Sequence, residues 1–320
     1  MKVVVTGAAG FLGSRLGDLL LSDKSPLPVK ELILADTFQP SSSSKDPRVK
    51  IIKIDLTSPN AADILITSDV DVFFHLAAIV SGHAEADFDL GFKVNFDATR
   101  SLLEAARKRA PKMKFVFTST CGVFGGKLPP VLDDLTAPQP QNSYGIAKAM
   151  SELLVNDYSR KGFVDGRVVR LPTVSVRAGV ANKAVTSFAS GIVREPLNGK
   201  ESVCPVPPQQ KLWLASPQSV VRNIIHAARI PASDLGSWRV VNLPGITASV
   251  AEMLEALRTV AGDAVAKLVR FEEDKMISTM VATFPVKFDN THALKLGFVV
   301  DANYADIIRA YIRDDLKKNI

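Results

Sequence analysis

The sequence predicts a doubly wound α/β fold, a parallel sheet covered by helices on both faces, with a smaller mixed α/β lobe attached. Three observations lead there. Over the first 175 residues, short apolar runs alternate with helix-like stretches. The runs are continuously apolar rather than alternating, as strands buried on both faces are. Glycines at 7, 10 and 13 stand where the first apolar run gives way to the first amphipathic stretch, the mark of a Rossmann-type turn.

Strands are expected at 2–6, 31–36, 50–55, 70–76, 115–119 and 166–171, each rich in Val, Ile, Leu or Phe. Helices are expected at 11–22, 92–109 and 144–161. After Arg170 the pattern loosens, because Pro172, Pro196, Pro205, Pro207, Pro208 and Pro217 break it up. Two later helices are expected at 216–229 and 250–261. This places a dinucleotide-binding domain at 1–175, completed by parts of 215–245, and a mainly substrate-binding lobe at 176–320, interleaved with it. The lobe is expected to form the substrate side of a crevice at the strand ends. The four serines at 41–44 read as a solvated connector.

Composition narrows the class. With 47% hydrophobic and 22% charged residues, the 320-residue chain is an ordinary globular one, long enough for two lobes. A net charge of +6, without a basic run or a basic face interleaved with aromatics, argues against a nucleic-acid partner. Cys121 and Cys204 form no CxxC pair and have no His cluster beside them, so neither a disulfide framework nor a metal site is expected. No apolar run reaches the roughly 18 residues that span a bilayer. The first strand begins at once, leaving no room for a signal peptide. A cytoplasmic protein with no membrane partner is the expectation.

The Gly7-x-x-Gly10-x-x-Gly13 segment suits a dinucleotide. The chain turns tightly at Gly7, a pyrophosphate can approach the backbone at Gly10, and Gly13 lets the helix pack closely. Phe11 and Leu12 then begin a helix whose N-terminal N–H groups attract phosphate. Asp36 closes the next strand, where a carboxylate accepts from ribose hydroxyls and repels a 2′-phosphate, so NAD is favoured over NADP. Arg15 reads as an exposed helix residue. Asp55 and Leu56 are placed to touch the adenine edge. Leu76, Ala77 and Ala78 lie where a cofactor ribose would pass. His75 reads as a packed histidine, and Asn95 is a candidate for orienting the Lys148 side.

Tyr144 and Lys148 stand four residues apart and share a helix face. A phenol has an unperturbed pKa of about 10, so it serves as a base only when a nearby cation favours the phenolate. Lys148 and the oxidised nicotinamide ring are both expected to do this, and Lys148 to grip the nicotinamide ribose. Thr120, at a strand end, is placed to hold the substrate oxygen, with Ser119 as the adjacent alternative.

These residues resemble an extended short-chain dehydrogenase/reductase of the NAD-dependent epimerase/dehydratase group. The likeness rests on TGAAGFLG at 6–13, Asp36, Asp55-Leu56, HLAA at 75–78, TSTCGVFG at 118–125 and YGIAK at 144–148. The resemblance implies Tyr144 as proton acceptor, Lys148 as its partner and ribose ligand, and Thr120 as the hydroxyl member. It also implies a homodimer formed by the helices at 92–109 and 144–161. Nucleotide-sugar members commonly carry an Arg-Tyr-Phe-Asn segment after the sixth strand and an Arg-Pro-Gly-Asp-like segment further on. Here the first reads Arg170-Leu171-Pro172-Thr173, and the stretch KMISTMVATFPVKFD at 275–289 lacks the second. Segments at 84–91, 157–160, 170–173, 176–179, 194–197 and 204–206 resemble the branch of the family that oxidises D-erythronate at C2, although His83 stands where that branch implies an acidic residue. A small sugar acid is therefore the expected substrate. Arg177 is the first candidate for its carboxylate, because a planar guanidinium fork matches one. Ser81, Thr173 and Asn182 complete the expected contacts. The competing readings are a nucleotide-sugar epimerase or dehydratase and a non-catalytic NAD-sensing protein.

Overall fold

The structure, a computed structural model, describes residues 1–40, 45–181 and 184–316. The serines at 41–44 and Asn182 lie outside the described residues. The chain forms two compact units. The first comprises Met1–Val123, Pro140–Arg170 and Val221–Val241; the second comprises Phe124–Gln139, Leu171–Val220 and Asn242–Ile320. Residues 124–139 thus group with the second unit.

In chain order the first unit runs β1 (Lys2–Thr6), α1 (Phe11–Leu21), β2 (Glu31–Asp36), β3 (Val49–Lys53), α2 (Ala61–Leu65) and β4 (Val72–His75). It continues with α3 (Ser81–Ala86), α4 (Phe88–Phe92), a π turn (Lys93–Asp97), α5 (Ala98–Arg109), β5 (Lys114–Thr120), α6 (Ser143–Arg160) and β6 (Asp165–Leu171). The seven-stranded sheet has the order strand Val240–Asn242, β6, β5, β4, β1, β2, β3. β1 pairs in parallel with both β2 and β4, and β4 with β5. The winding therefore reverses between β1 and β4, and the loops leaving their carboxyl ends diverge there. Burial of the apolar runs drives this arrangement. Val4, Ile33, Phe73, Phe115 and Phe117 pack with Leu102 and Leu103 of α5 in one cluster, and Phe73 stacks on Phe115 at 5.4 Å.

Three elements differ from expectation. β3 ends at Lys53, so Asp55 lies in the following loop rather than in the strand. The single helix expected at 92–109 is α4, the π turn and α5, because the extra residue of the π turn shifts the helix face. Strand Val240–Asn242, with three residues, is too short to carry a periodic signal.

The second unit holds a three-stranded sheet in the order Ile246–Ser249, Lys211–Ala215, Thr173–Val174, and a parallel pair of strands, Ser202–Cys204 with Val269–Phe271. Helices Phe188–Leu197, Val250–Ala261 and Tyr304–Asp314 contribute Ile192, Met253, Leu257 and Ile308 to its core. A capping box between Ser249 and Glu252 fixes the start of Val250–Ala261. Among the described residues, no helix is long and apolar enough to cross a membrane.

Candidate active site

The glycine segment is shaped by what cannot be there. Gly7 has φ +72°, and a Cβ on it would lie 2.7 Å from the Ala77 backbone nitrogen and 2.9 Å from the Leu76 carbonyl carbon. The backbone of Leu76–Ala77 thus presses directly on the turn, and Ala78 follows it past β4. A Cβ on Gly13 would lie 2.1 Å from the Gly7 carbonyl oxygen, so the start of α1 packs directly on the loop. Gly10 differs. Among the described residues, the Gly7 oxygen, 3.1 Å away, is the one protein atom within 4 Å of a Cβ there, and Gly10 is exposed. It is the N-cap of α1 and supplies no side-chain acceptor to the first turn, which Phe11, Leu12 and Gly13 form. An open backbone face at a helix N-terminus suits a pyrophosphate.

Asp36, at the end of β2, is tied to this loop. Its Oδ2 accepts from the Ala9 N–H at 2.9 Å and its Oδ1 from the Phe38 N–H at 3.0 Å. The carboxylate is thereby held at the mouth of the cradle, the position that favours ribose hydroxyls. Asp55 Oδ1 accepts from both the N–H and hydroxyl of Thr57 at 2.8 Å, and these bonds lower its pKa. Leu56 packs beside it against the core. The Arg15 guanidinium lies over the Phe11 ring at 4.8 Å, consistent with a helix-surface role.

Behind the cradle, His75 is fully buried and its pKa is pushed down to about 3 by desolvation. Its hydrogen bonds define its tautomer. The Thr99 hydroxyl donates to the Asn95 carbonyl at 3.0 Å, so it accepts from His75 Nε2–H, also at 3.0 Å. Nδ1 then accepts from the Thr6 hydroxyl at 2.7 Å. The Asn95 amide is fully engaged. Its Oδ1 accepts from the Ile79 N–H at 2.9 Å and its Nδ2 donates to the Ile79 carbonyl at 3.0 Å. The Asn95 side chain thus fixes the loop after β4, and its carbonyl accepts from the Ser151 hydroxyl of α6, the helix that carries Lys148, at 3.1 Å.

The catalytic candidates meet where β5 faces α6. The start of α6 is fixed twice: the Asn142 side chain accepts from the Gly145 N–H at 2.8 Å, and Glu85 of α3 accepts from the Ser143 N–H at 2.9 Å. Tyr144 follows one residue later, half-buried, and among the described residues no side chain hydrogen-bonds its hydroxyl. Lys148, 1% exposed, donates to the Thr118 carbonyl at 3.0 Å; its Nζ lies 4.5 Å from the Phe117 ring centroid and 6.0 Å from that of Tyr144. Thr120 Oγ1 accepts from the Gly122 N–H at 3.0 Å, which leaves its own proton to donate outward. The sequence expects Lys148 to draw the phenol towards neutral pKa. In this structure desolvation governs both groups: the Tyr144 phenol is pushed up to about 12 and the Lys148 ammonium down to about 7, where Glu152 resists the fall.

Ser119 is not available to substrate. Successive residues of a strand face opposite sides, so Ser119 points away from the side that Thr120 takes. Its hydroxyl donates to Glu152 Oε1 at 2.5 Å. Glu152 also receives Arg170, from Nε at 3.0 Å and from Nη2 at 2.7 Å, and both partners are fully buried. Sequence reasoning passes over this pair, although 144, 148 and 152 continue one face of α6.

The other expected substrate contacts fall in both units. Ser81 is the first residue of α3. In the second unit, Thr173 begins its short strand. Arg177 donates its N–H to Ser190 Oγ at 3.0 Å, and its carbonyl accepts from Arg194 at 3.0 Å. Burial, then the Arg194 charge, holds the Arg177 guanidinium pKa below its usual value.

Residues 3–228 match the model of the NAD dependent epimerase/dehydratase family. The chain belongs to this family. NAD is accordingly its cofactor. The chain is 50% identical over 316 residues to the D-erythronate dehydrogenase of Haemophilus influenzae, covering 99% of this chain and 100% of that one. It is 49% identical over 320 residues to the D-erythronate dehydrogenase of Cupriavidus necator, covering 98% of each. Its fold matches the crystal structure of the nucleoside-diphosphate-sugar epimerase from Agrobacterium tumefaciens with a TM-score of 0.94, at 42% identity, covering 99% of this chain and 95% of that one.

Proposed function

We infer that this protein is an NAD-dependent dehydrogenase that oxidises the C2 hydroxyl of D-erythronate to 2-oxo-tetronate. The observation that carries the reading is the alignment of Tyr144 and Lys148 along α6 beside Thr120 of β5, in a chain about half identical over its whole length to two D-erythronate dehydrogenases. Tyr144, as phenolate, takes the proton from the C2 hydroxyl. Thr120 donates its hydroxyl proton to the same oxygen and orients it. The Lys148 ammonium favours the phenolate by charge and is assigned the nicotinamide ribose hydroxyls. When bound, NAD supplies the hydride acceptor and a cationic ring. Gly7, Gly10, Gly13 and Asp36 hold and orient it. Arg177 is assigned the substrate carboxylate: a desolvated guanidinium close to a second cation gains most from an anion. Ser81 and Thr173 are proposed as further contacts.

The test is absorbance at 340 nm with NAD and a panel of four- to six-carbon sugar acids. D-erythronate is expected to produce NADH with sustained turnover; absence of NADH with every acid defeats the reading. Arg177→Ala is expected to raise KM for the acid, and an unchanged KM would place the carboxylate anchor elsewhere. The structural match to a protein titled as a sugar-nucleotide epimerase favours the second reading, an epimerase that retains its NAD through the cycle and releases no NADH.

We also propose a cytoplasmic homodimer. Ile146, Met150 and Leu153 form an exposed apolar stripe on α6, 40%, 37% and 58% exposed. Such a stripe at helical spacing suits a second copy. Light scattering is expected to give twice the chain mass, and Leu153→Lys to halve it.

A further inference from the structure

We propose that Glu152 and Arg170 are positioning residues for this dehydrogenase: the buried pair clamps the end of β5 through Ser119 and keeps Lys148 in place as an ammonium beside Tyr144. The inference rests on the proposed reaction. Three consecutive residues of β5 are each held by a different bond. The Thr118 carbonyl takes the Lys148 ammonium, the Ser119 hydroxyl reaches Glu152, and Thr120 Oγ1 takes the Gly122 N–H. The Thr118 hydroxyl adds a fourth link, donating to the His75 carbonyl at 3.0 Å. Glu152 is the point where this strand end, α6 and β6 join, because Arg170 of β6 fills its remaining acceptor sites. A slip of the Ser119 peptide would move the Thr118 carbonyl and the Thr120 hydroxyl together.

Charge acts in the same place. Glu152 lies one helical turn beyond Lys148 and favours its charged form against desolvation. The other ionisable groups on this face are Tyr144, His75 from β4, which is neutral, and Arg170, which lies behind Glu152. Lys93, Asp97 and Arg100 of the π turn and α5, Asp87 before α4 and Asp89 in it are exposed, and Glu85 of α3, also exposed, accepts from the Ser143 N–H at the start of α6. β5 itself presents the Phe117 ring and the Thr118 carbonyl. Glu152 is thus the buried carboxylate that opposes loss of the Lys148 proton.

The experiment compares Glu152→Gln and the double variant Glu152→Gln/Arg170→Gln with the wild type. The double variant leaves no buried guanidinium without its carboxylate and retains amide partners for Ser119, so it keeps the fold if the single one does not. Each is measured for NAD affinity by equilibrium dialysis, for kcat and KM, for the pH profile of kcat, and for Lys148 titration by 15N NMR of the ligand-free protein. NAD affinity is expected to stay within about threefold, while kcat falls on the order of 100-fold in Glu152→Gln, as misplacement of a reacting group by about 1 Å does. The alkaline limb of kcat is expected to move to lower pH in both variants, and the Lys148 titration with it. A double variant with wild-type kcat and an unshifted Lys148 titration overturns the proposal. The NMR measurement needs no substrate, so failure of the proposed reaction is told apart from failure of the positioning role.

Discussion

The two ends of the first unit that are proposed to carry chemistry are built on opposite principles. At β1–α1 the structure works by leaving side chains out: Gly7 and Gly13 are fixed by backbone atoms 2.7 Å and 2.1 Å from where a Cβ would sit. At β5–α6 it works by burying charged and hydroxyl groups and giving each a partner, as in Lys148 on Thr118 and Glu152 on Ser119 and Arg170. The first end fails sterically, at the substituted residue. The second fails electrostatically, and through neighbours. Substitutions at the cradle should therefore change cofactor binding and folding, while those at β5–α6 should change turnover with the cofactor still bound.

Tyr144→Phe separates the ends most sharply. It removes the proposed proton acceptor and leaves the cradle untouched, so kcat is expected to fall by about 10³-fold or more while NAD affinity is retained. Turnover within tenfold of wild type would remove Tyr144 from the role. Gly13→Ala is the converse. Its methyl would meet the Gly7 carbonyl oxygen, which cannot swing aside as a flexible side chain would. A loss of about 1–3 kcal/mol in stability is expected, together with weakened NAD binding, measured by urea unfolding and dialysis. A variant with wild-type stability and affinity would mean that the loop has room that the structure does not show.

Asp36→Ala tests the link between the loop and the cofactor. The carboxylate accepts from the Ala9 and Phe38 N–H groups, so its loss frees two backbone donors as well as removing the ribose acceptor. Loss of hydrogen bonds to a charged group costs about 1.5–3 kcal/mol, so NAD affinity should fall roughly 10–100-fold. Relative use of NADP should rise, because the repulsion of a 2′-phosphate is gone. An unchanged NAD/NADP preference in competition kinetics would show that Asp36 does not select the cofactor.

The same contrast explains what could be read from the sequence. The cradle was legible because its constraints are local: three glycines spaced by three, after one strand and before one helix. Tyr144 and Lys148 were legible for the same reason, one helical turn apart. Ser119 and Thr120 were not separable, because choosing between adjacent hydroxyls requires knowing which side of β5 faces which partner. Glu152 and Arg170 are 18 residues apart and meet only because β6 pairs beside β5 in the sheet order. The bond of the Asn95 amide to the Ile79 backbone has no signature in the sequence, because the π turn that sets it leaves no periodic trace. Burial was the other omission. Desolvation, which the charge argument for Tyr144 leaves out, raises the phenol to about 12 in the ligand-free protein.

His75 joins the two ends, since it bonds Thr6 before the cradle and, through Thr99, the Asn95 carbonyl that also accepts from Ser151 of α6. Its pKa of about 3 lies below the unfolded value of about 6.5. The unfolded chain therefore binds the proton more readily, and the buried neutral ring contributes stability that is fully present above about pH 6.5 and is lost as pH falls towards 3. The slope is about 1.4 kcal/mol per pH unit, or about 2–3 kcal/mol between pH 7 and 4.5. His75→Gln cannot titrate. It should be less stable at pH 7, because one flexible amide cannot serve both Thr6 and Thr99, but it should lose correspondingly less between pH 7 and 4.5. Urea midpoints at the two pH values give the comparison directly. If wild type and variant lose equal stability, acid sensitivity arises from the carboxylates, and His75 is no more than a packed ring between two hydroxyls.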